Sequence, residues 1–266
     1  SAWFPPACPM PRPRQSRPRR PCRIKTSRKW SILAVLGLAL ALIGWLGLGR
    51  GQPAGEPIGL FTSLPILWSD SAQFGAELRQ DSTAHWARGV IEQRGRIAPL
   101  DMLTKSGLAG LKHLIIAQPR PLAPAENVAL DDWVRDGGQV LLLADPALTQ
   151  QSEYQLGDPR RPQAVAMLSP ILARWGLDLM FDDNQPMGEA SRDVLGVDTP
   201  VNLPGHFAAR GQANCRLWSD GLVATCAIGK GRVVALADAA VLETGEPSAP
   251  RSKAFAALLD AAFAAR

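Results

Sequence analysis

The segment LDDWVRDGGQVLLLADP, residues 130–146, carries the strongest indication of the class of fold. Its first half has apolar residues at helical spacing, and the glycine pair at 137–138 ends that pattern. The apolar run at 139–144 is typical of a parallel β-strand covered on both faces. Asp145-Pro146 ends the run, because proline cannot continue a strand ladder. This stretch therefore predicts a helix that leads directly into a central strand.

The segment before this stretch completes a strand–helix–strand unit. Residues 113–117 form a second apolar run, and Pro124 and Glu126 are typical of the first turn of the following helix. A unit this compact predicts a right-handed crossover between parallel strands. Earlier strands are predicted at 58–62 and 96–100, and helices at 71–80 and 83–93. Alternating strands and helices indicate an α/β fold with a mainly parallel sheet.

The second half of the chain predicts antiparallel additions at one edge of that sheet. A helix is predicted at 163–175 and a short strand at 178–181, whereas residues 182–205 show no clear period. Three strands, at 213–218, 222–228 and 232–237, are separated by short glycine-containing turns, and a helix at 252–265 follows.

The cysteines Cys215 and Cys226 are predicted to pair across a hairpin. Asp220-Gly221 between apolar residues is a strong signal for a two-residue turn, and that register places the two cysteines opposite each other. We therefore predict a disulfide, with two buried thiols as the alternative. A two-residue turn makes this pair a hydrogen-bonded one, which suits a disulfide less well than the other kind of pair.

The first fifty residues differ in charge from the rest of the chain. They hold ten of its 29 Lys and Arg residues and no acidic residue, so the remainder is net acidic. An acidic domain argues against a nucleic-acid partner. Residues 30–48 are uncharged and long enough to cross a membrane. We predict a disordered basic cytoplasmic tail at 1–29, a transmembrane helix at 30–48, a linker at 49–57 and an α/β domain at 58–266.

The charge distribution also predicts the location of the protein. Basic residues are concentrated before the apolar segment, so the tail is expected in the cytoplasm and the domain in the periplasm, with the chain anchored in the inner membrane bilayer. A cleaved signal peptide is the alternative, because Gly47-Leu48-Gly49 has the small-x-small pattern of a cleavage site. The apolar segment is longer than the usual signal-peptide core, which favours the uncleaved anchor.

Residues 130–146 resemble a block of the GldG-like, class I glutamine-amidotransferase-like domains. The segments at 61–65, 114–119 and 231–238 fit the same layout, so the resemblance covers roughly residues 57–240. It implies a flavodoxin-like, mainly parallel sheet. It also implies a membrane-anchored accessory subunit beside an ABC-type permease and ATPase or another envelope system.

The residues that catalysis would need are missing from the expected positions. Catalytic amidotransferases require a cysteine at a tight strand-to-helix turn, and no predicted strand end carries one. The histidines His85, His113 and His206 match no metal-binding spacing. We therefore predict no catalytic residue, no metal site, no cofactor and no enzymatic activity.

The carboxyl ends of the predicted strands form the best candidate for a ligand or partner cleft, since open α/β sheets bind ligands there. The polar residues at these ends are Thr62, Ser63, Gln118, Arg120, Asp145 and Asp238. Asp145 precedes a proline, so the alternative is that it caps a turn and has no role in binding. The nearby Arg160-Arg161 could pair with these acids or with a ligand, or could form an exposed basic loop.

Three functions follow from these observations. The first is a non-catalytic accessory or scaffold subunit whose domain binds a partner or a small ligand. The second is an envelope hydrolase with Ser63 as nucleophile, which requires a histidine within hydrogen-bonding reach. The third is a solute-sensing module that binds a ligand without chemistry.

Overall fold

A computed structural model of the chain describes residues 55–68, 85–211, 214–243 and 248–264. The predicted tail at 1–29, the transmembrane helix at 30–48, most of the linker and the predicted helix at 71–80 lie outside these residues. Within the described ranges, none of the helices combines the length and the apolar character that crossing a membrane requires.

A seven-stranded open sheet forms the centre of the fold. Its order is β2-β1-β3-β4-β11-β10-β9, with β2 and β9 at the two edges. The first five strands in this order run parallel to one another. β10 runs antiparallel to β11, and the edge strand β9 runs antiparallel to β10. The strands are β1 (Pro57–Thr62), β2 (Arg96–Pro99), β3 (His113–Ala117), β4 (Gln139–Leu143), β9 (Cys215–Trp218), β10 (Val223–Ile228) and β11 (Gly231–Leu236). The prediction of a mainly parallel sheet with antiparallel strands at one edge is confirmed.

The central strands are buried along nearly their whole length. In β3 and β4, consecutive residues are inaccessible to solvent, so side chains on both faces of the sheet are covered. Two groups of helices provide this cover. One group is α1 (Trp86–Glu92) and α5 (Ala249–Phe263), and the other is α2 (Lys105–Leu108), α3 (Pro124–Arg135) and α4 (Ser169–Trp175). A fully buried leucine or isoleucine contributes roughly 1.5–3 kcal/mol, so these strands form the stable centre of the domain.

The helix predicted at 163–175 begins later, at Ser169. Pro170 occupies its first turn, where proline is tolerated because the amide there needs no intrahelical partner. Gly176 ends the helix in the left-handed conformation, with φ of 80°. Residues 163–168 are therefore irregular, because a proline at position 170 would break a helix that had begun at 163.

The segment at 182–205, which has no clear period, contains a two-stranded ribbon, β6 (Glu189–Val194) paired with β7 (Val197–Asn202). Leu195 and Gly196 form its two-residue turn, both with positive φ, as a right-handed twisted hairpin requires. Nearly every residue of β6 is exposed, so the strand shows no alternation of apolar and polar residues. A second ribbon joins β5 (Leu177–Met180) to β8 (His206–Ala209), and His206 begins β8.

The cysteine hairpin has the predicted register. Cys215 lies opposite Cys226, and the two are joined by a disulfide with 4.0 Å between the Cα atoms. The strands end at the Trp218–Val223 pair, so the loop has four residues and not two. The Ala227 amide donates to the Asn214 carbonyl, which makes the neighbouring cysteine pair a non-hydrogen-bonded one. The longer loop therefore keeps the register but changes the hydrogen-bonding phase to the one that suits a disulfide.

Candidate functional site

The carboxyl ends of the parallel strands meet at one edge of the sheet. The order β2-β1-β3 means that the chain passes first to one side of β1 and then to the other. The loops after β1 and β3 therefore diverge, and such a point leaves a crevice between them. The predicted site residues lie at this edge, but they separate into two groups: some line a cleft and others are buried behind it.

Gln118 belongs to the buried group and joins the ends of the strands. Its side-chain amide donates to the carbonyls of Asp145 and Gln163, at 3.0 and 2.7 Å, and its side-chain oxygen accepts from the Asp145 amide at 2.8 Å. Its carbonyl accepts from the hydroxyl of Ser63. Gln118 is fully buried, and its φ of 42° places it in the left-handed region. It fixes the loops that surround the cleft and does not itself face a ligand.

Asp145 and Asp238 are also buried completely. The Asp145 carboxylate accepts from the amides of Ala147 and Ala239, at 2.7 and 3.1 Å. Asp238 accepts from the amides of Asn202 and Ala240, at 3.0 and 2.6 Å. Both residues therefore hold the loops that leave their strands, which agrees with the interpretation of Asp145 as a turn cap.

The burial of these two acids changes their protonation. Desolvation raises the pKa of Asp145 to about 7, against the opposing effect of its two amide donors. Desolvation, followed by repulsion from Asp145, raises the pKa of Asp238 well above its usual value. Glu243 lies close enough to add repulsion to both. The pair therefore retains a proton at a pH where exposed carboxyl groups are ionised.

A cleft of about 450 Å³ opens at the carboxyl ends of β1, β2 and β3. This volume lies in the range of roughly 300–1,000 Å³ that is typical of small-molecule sites. Thr62, Ser63 and Arg120 line it, as predicted from the strand ends. Its other lining residues are Phe61, Trp68, Leu100, Asp101, Tyr154, Pro159, Arg160 and Gln163. Asp101 follows the end of β2, so the rule that selected Thr62 and Arg120 could also have found it.

Two guanidinium groups stack on aromatic rings in the walls of the cleft. The Arg120 guanidinium lies 5.0 Å from the centre of the Phe61 ring, and that of Arg160 lies 4.3 Å from the centre of the Tyr154 ring. Cation–π contacts of this kind hold long, flexible side chains in place. The walls are therefore ordered before any ligand arrives.

Both guanidinium groups also form ion pairs with carboxylates of the protein. Arg120 bonds to both oxygens of the buried Glu126, at 2.8 and 2.9 Å, and this contact lowers the pKa of Glu126 to about 2. Arg160 bonds to Asp158 at 2.8 Å, and this contact lowers the pKa of Asp158 to about 2. The charge of each arginine is thus largely balanced inside the protein.

Ser63 lacks the arrangement that a nucleophile requires. Its hydroxyl donates to the Gln118 carbonyl and accepts from the Gln163 amide at 2.9 Å. His85 is bonded to the Ala87 amide and the Leu242 carbonyl, and His113 stacks on Phe263 at the amino end of β3. The prediction of a Ser63-dependent hydrolase is therefore wrong, because neither of these histidines activates this hydroxyl and His206 lies on β8 without a bond to it.

The described part of the chain contains no group of three or more His, Cys, Asp or Glu residues placed to hold a metal ion. A larger hollow, of about 630 Å³, lies along the antiparallel edge beside the disulfide. Residues of β9, β10, β11 and α5 line this hollow, and none of them is aromatic, whereas strand ends and aromatic side chains line the cleft. The cleft is therefore the better candidate for a ligand site.

The chain matches no protein-family model, and no curated protein matches it. Among solved structures, it is similar to the exo-β-1,4-mannosidase Op5Man5 from Opitutaceae bacterium strain TAV5, with 14% identity, a TM-score of 0.44 and coverage of 80% of this chain and 37% of that one. It is also similar to the GH42 β-galactosidase Gan42B of G. stearothermophilus, with 16% identity, a TM-score of 0.44 and coverage of 80% and 31%. A cytoplasmic protein from Salmonella typhimurium LT2 has 15% identity, a TM-score of 0.40 and coverage of 64% and 81%.

These findings correct three predictions. The similar enzymes are glycoside hydrolases and not GldG-like or amidotransferase-like proteins, so the predicted family is wrong. The non-catalytic accessory subunit of an ABC-type system rested on that family and is wrong with it. The prediction of no enzymatic activity came from the missing cysteine at the strand ends, and it is contradicted by the similarity to glycoside hydrolases. The chain spans about a third of the length of the two hydrolases described.

Proposed function

We propose that this domain binds a small molecule in the cleft at the carboxyl ends of β1, β2 and β3. The observation that carries the proposal is the lining of the cleft, where aromatic side chains stand beside polar groups at converging strand ends. Ligand sites typically combine an apolar surface with a few placed polar groups. The hydrogen bonds of Gln118 and the stacking of the two arginines hold this lining in place before a ligand binds. This order lowers the entropic cost of binding.

The order of the parallel strands supports this position. Counted along the chain, the five parallel strands follow the order 2-1-3-4-5, which is the flavodoxin-like doubly wound arrangement. Folds of this type bind ligands at the point where the order reverses, between β1 and β3. We assign the fold to this arrangement as part of the proposal, and the cleft lies at the reversal. The membrane anchor at 30–48 stays a prediction.

A ligand screen on the full-length chain tests the proposal. Thermal unfolding is followed with sugars, nucleotides, carboxylates and polyamines as separate probes, since a ligand that binds only the folded state raises the melting temperature. Trp68 is 41% exposed on the rim of the cleft, and Met187, at 86% exposed, lies outside it. A ligand that binds in the cleft should no longer raise the melting temperature of Trp68→Ala, and should still raise that of the control, Met187→Ala. A shift that survives Trp68→Ala places the ligand elsewhere and contradicts the proposal.

A further inference from the structure

If the cleft binds a small molecule, as proposed above, the charges around it restrict the class of ligand that it can take. Each cleft arginine is already paired with a carboxylate: Arg120 with Glu126 and Arg160 with Asp158. The Arg120 guanidinium additionally donates to the carbonyls of Pro121 and Asp101, at 3.0 and 2.7 Å. An anionic ligand would have to compete with these carboxylates for donors that the protein already uses. Phosphate and carboxylate ligands are therefore disfavoured.

A cationic ligand is disfavoured for a different reason. The side chains of Arg120 and Arg160 are 40% and 57% exposed, and they stand in the walls that such a ligand would touch. Each guanidinium repels a cationic ligand that approaches it closely. The paired carboxylates of Glu126 and Asp158 cancel this repulsion only at longer distances. Asp101 carries the single carboxylate among the lining residues, and it would have to outweigh the repulsion from both arginines to hold a cation.

Asp101 instead offers acceptors for neutral hydroxyl groups. It is exposed, and its charge attracts the Arg120 guanidinium from beyond salt-bridge distance. Within the described residues its carboxylate accepts no hydrogen bond from a protein donor, so both oxygens can accept from a ligand. An ionised carboxylate has two oxygens and accepts hydrogen bonds from two donors at once. Adjacent hydroxyl groups on a ring match this spacing. Bonds to a charged acceptor are stronger than those between neutral groups, so Asp101 can retain hydroxyls that water also solvates.

Trp68 provides the complementary apolar surface. The residue is 41% exposed and lines the same cleft, in the segment that follows β1. A sugar ring has one face of C–H groups and a rim of hydroxyls, so it can cover an indole while its rim reaches polar groups. Aromatic side chains favour contacts that are apolar across the ring face and polar or solvated at the edge. The side chain of Gln163, also in the lining, can donate and accept at that rim.

We infer that the cleft binds an uncharged sugar, with the C–H face of one ring on Trp68 and adjacent hydroxyls donating to the Asp101 carboxylate. This occupant accounts for the exposed indole, the available carboxylate and the internally balanced arginines together. The mode of recognition requires no charge on the ligand and no metal ion.

Calorimetric titration of the full-length chain tests the inference with defined probes. The neutral probes are methyl glycosides of glucose, galactose and mannose with the corresponding disaccharides. The charged probes are methyl glucuronide, inorganic phosphate and spermidine. We expect a neutral glycoside to bind and its uronide to bind more weakly. Removing one of the adjacent hydroxyls, as in a deoxy sugar, is expected to weaken binding by about tenfold, the effect of one hydrogen bond to a charged group.

Three variants locate the contact. Trp68→Ala and Asp101→Asn are each expected to weaken sugar binding by about tenfold or more. The matched control is Asp183→Asn, because Asp183 is an exposed aspartate outside the cleft lining and its loss should leave binding unchanged. Asp101→Asn keeps the size of the side chain, and circular dichroism confirms that each variant is folded.

The outcomes separate the inference from the proposed function. Binding of phosphate, uronide or spermidine in preference to neutral sugars, lost in Trp68→Ala, overturns the ligand class but retains the cleft. Sugar binding that is lost in Trp68→Ala and unaffected by Asp101→Asn overturns the role of the carboxylate. Binding that neither variant changes, or no binding by any probe, overturns both the inference and the proposed function.

Discussion

Asp145 and Asp238 lie at the carboxyl ends of neighbouring parallel strands, β4 and β11, and both carboxyl groups are fully buried. Each accepts two backbone amides, and one of the amides that Asp145 binds, that of Ala239, follows Asp238 directly. Two neighbouring carboxyl groups that are both buried from solvent cannot both ionise without strong repulsion. The pair therefore couples the stability of this end of the domain to pH.

The first prediction is that the unfolding free energy of the wild-type protein falls as the pH rises towards about 7, and that the variant Asp145→Asn lacks this decrease. The folded-state pKa of Asp145 is raised to about 7, above the value of about 3.9 in an unfolded chain. The folded state thus holds the extra proton, so its advantage is complete below about pH 4 and is lost as the pH rises to about 7. From about pH 5 to 7.5 we expect wild type to lose roughly 1–3 kcal/mol relative to Asp145→Asn.

Urea unfolding across this pH range measures the difference between the two proteins. The comparison with the variant is needed because burial lowers the pKa of His85 and His113, which has the opposite effect on stability. Glu126 and Asp158 do not contribute, since both are ionised in the folded and unfolded states above about pH 5. A difference that stays constant with pH would show that Asp145 does not retain its proton.

The second prediction concerns Glu126, which joins the start of α3 to two other segments. Its carboxylate accepts from the amides of Leu103 and Ala123 and from the Arg120 guanidinium. Glu126→Gln removes the charge and leaves Arg120 without its partner, so we expect a loss of about 1–3 kcal/mol in unfolding free energy at neutral pH. Because the folded pKa of Glu126 is lowered to about 2, this loss should shrink as the pH falls from about 5 towards 2.

The control for this variant is Glu92→Gln. Glu92 pairs with Arg88 one helical turn away, and both side chains are nearly half exposed. Exposed pairs of this kind contribute little, so stability should hardly change. Equal effects of the two substitutions in chemical denaturation would contradict the structural role of Glu126.

The third prediction concerns the glycine that separates α3 from β4. A Cβ atom on Gly138 would lie 2.4 Å from the ring of Trp133, which is closer than carbon atoms can approach. Gly138→Ala should therefore destabilise the domain by about 1–3 kcal/mol, the usual effect of overpacking. Gly89→Ala is the control, because a Cβ there meets nothing within 4 Å and alanine favours the helix by up to about 1 kcal/mol. The two melting temperatures should shift in opposite directions, and shifts of the same sign would show that Trp133 does not pack as described.

The fourth prediction concerns the disulfide of the edge hairpin. Cys215 and Cys226 are 11 residues apart, so the bond closes a short loop and should contribute about 2–3 kcal/mol. Replacing both cysteines with alanine should lower the unfolding free energy by this amount in the absence of reductant. In the presence of dithiothreitol the variant and wild type should become similar in stability. Wild type that is insensitive to reductant would mean that the bond is absent.

Apolar runs and turn residues account for most of the fold that could be predicted. The segment 130–146 is locally unambiguous, because a helix ending in two glycines and a continuous apolar strand each need little tertiary support to be recognised. The strand positions in the main sheet and the opposition of Cys215 and Cys226 followed from the same local rules. The ribbon of β6 and β7 could not be predicted, since an exposed strand carries no hydrophobic period.

The candidate site was only partly predictable. The sequence alone placed Thr62, Ser63 and Arg120 at the strand ends, because parallel strands bring their carboxyl ends to one edge. It could not separate them from Gln118, Asp145 and Asp238, which occupy equivalent positions but are buried. That distinction depends on the tertiary structure, which also placed Trp68, from the segment after β1, and Tyr154, from the loop after β4, in the lining of the cleft. Burial and the pairing of charges depend on neighbours far apart in the chain, and no local pattern encodes which strand end stays open to solvent.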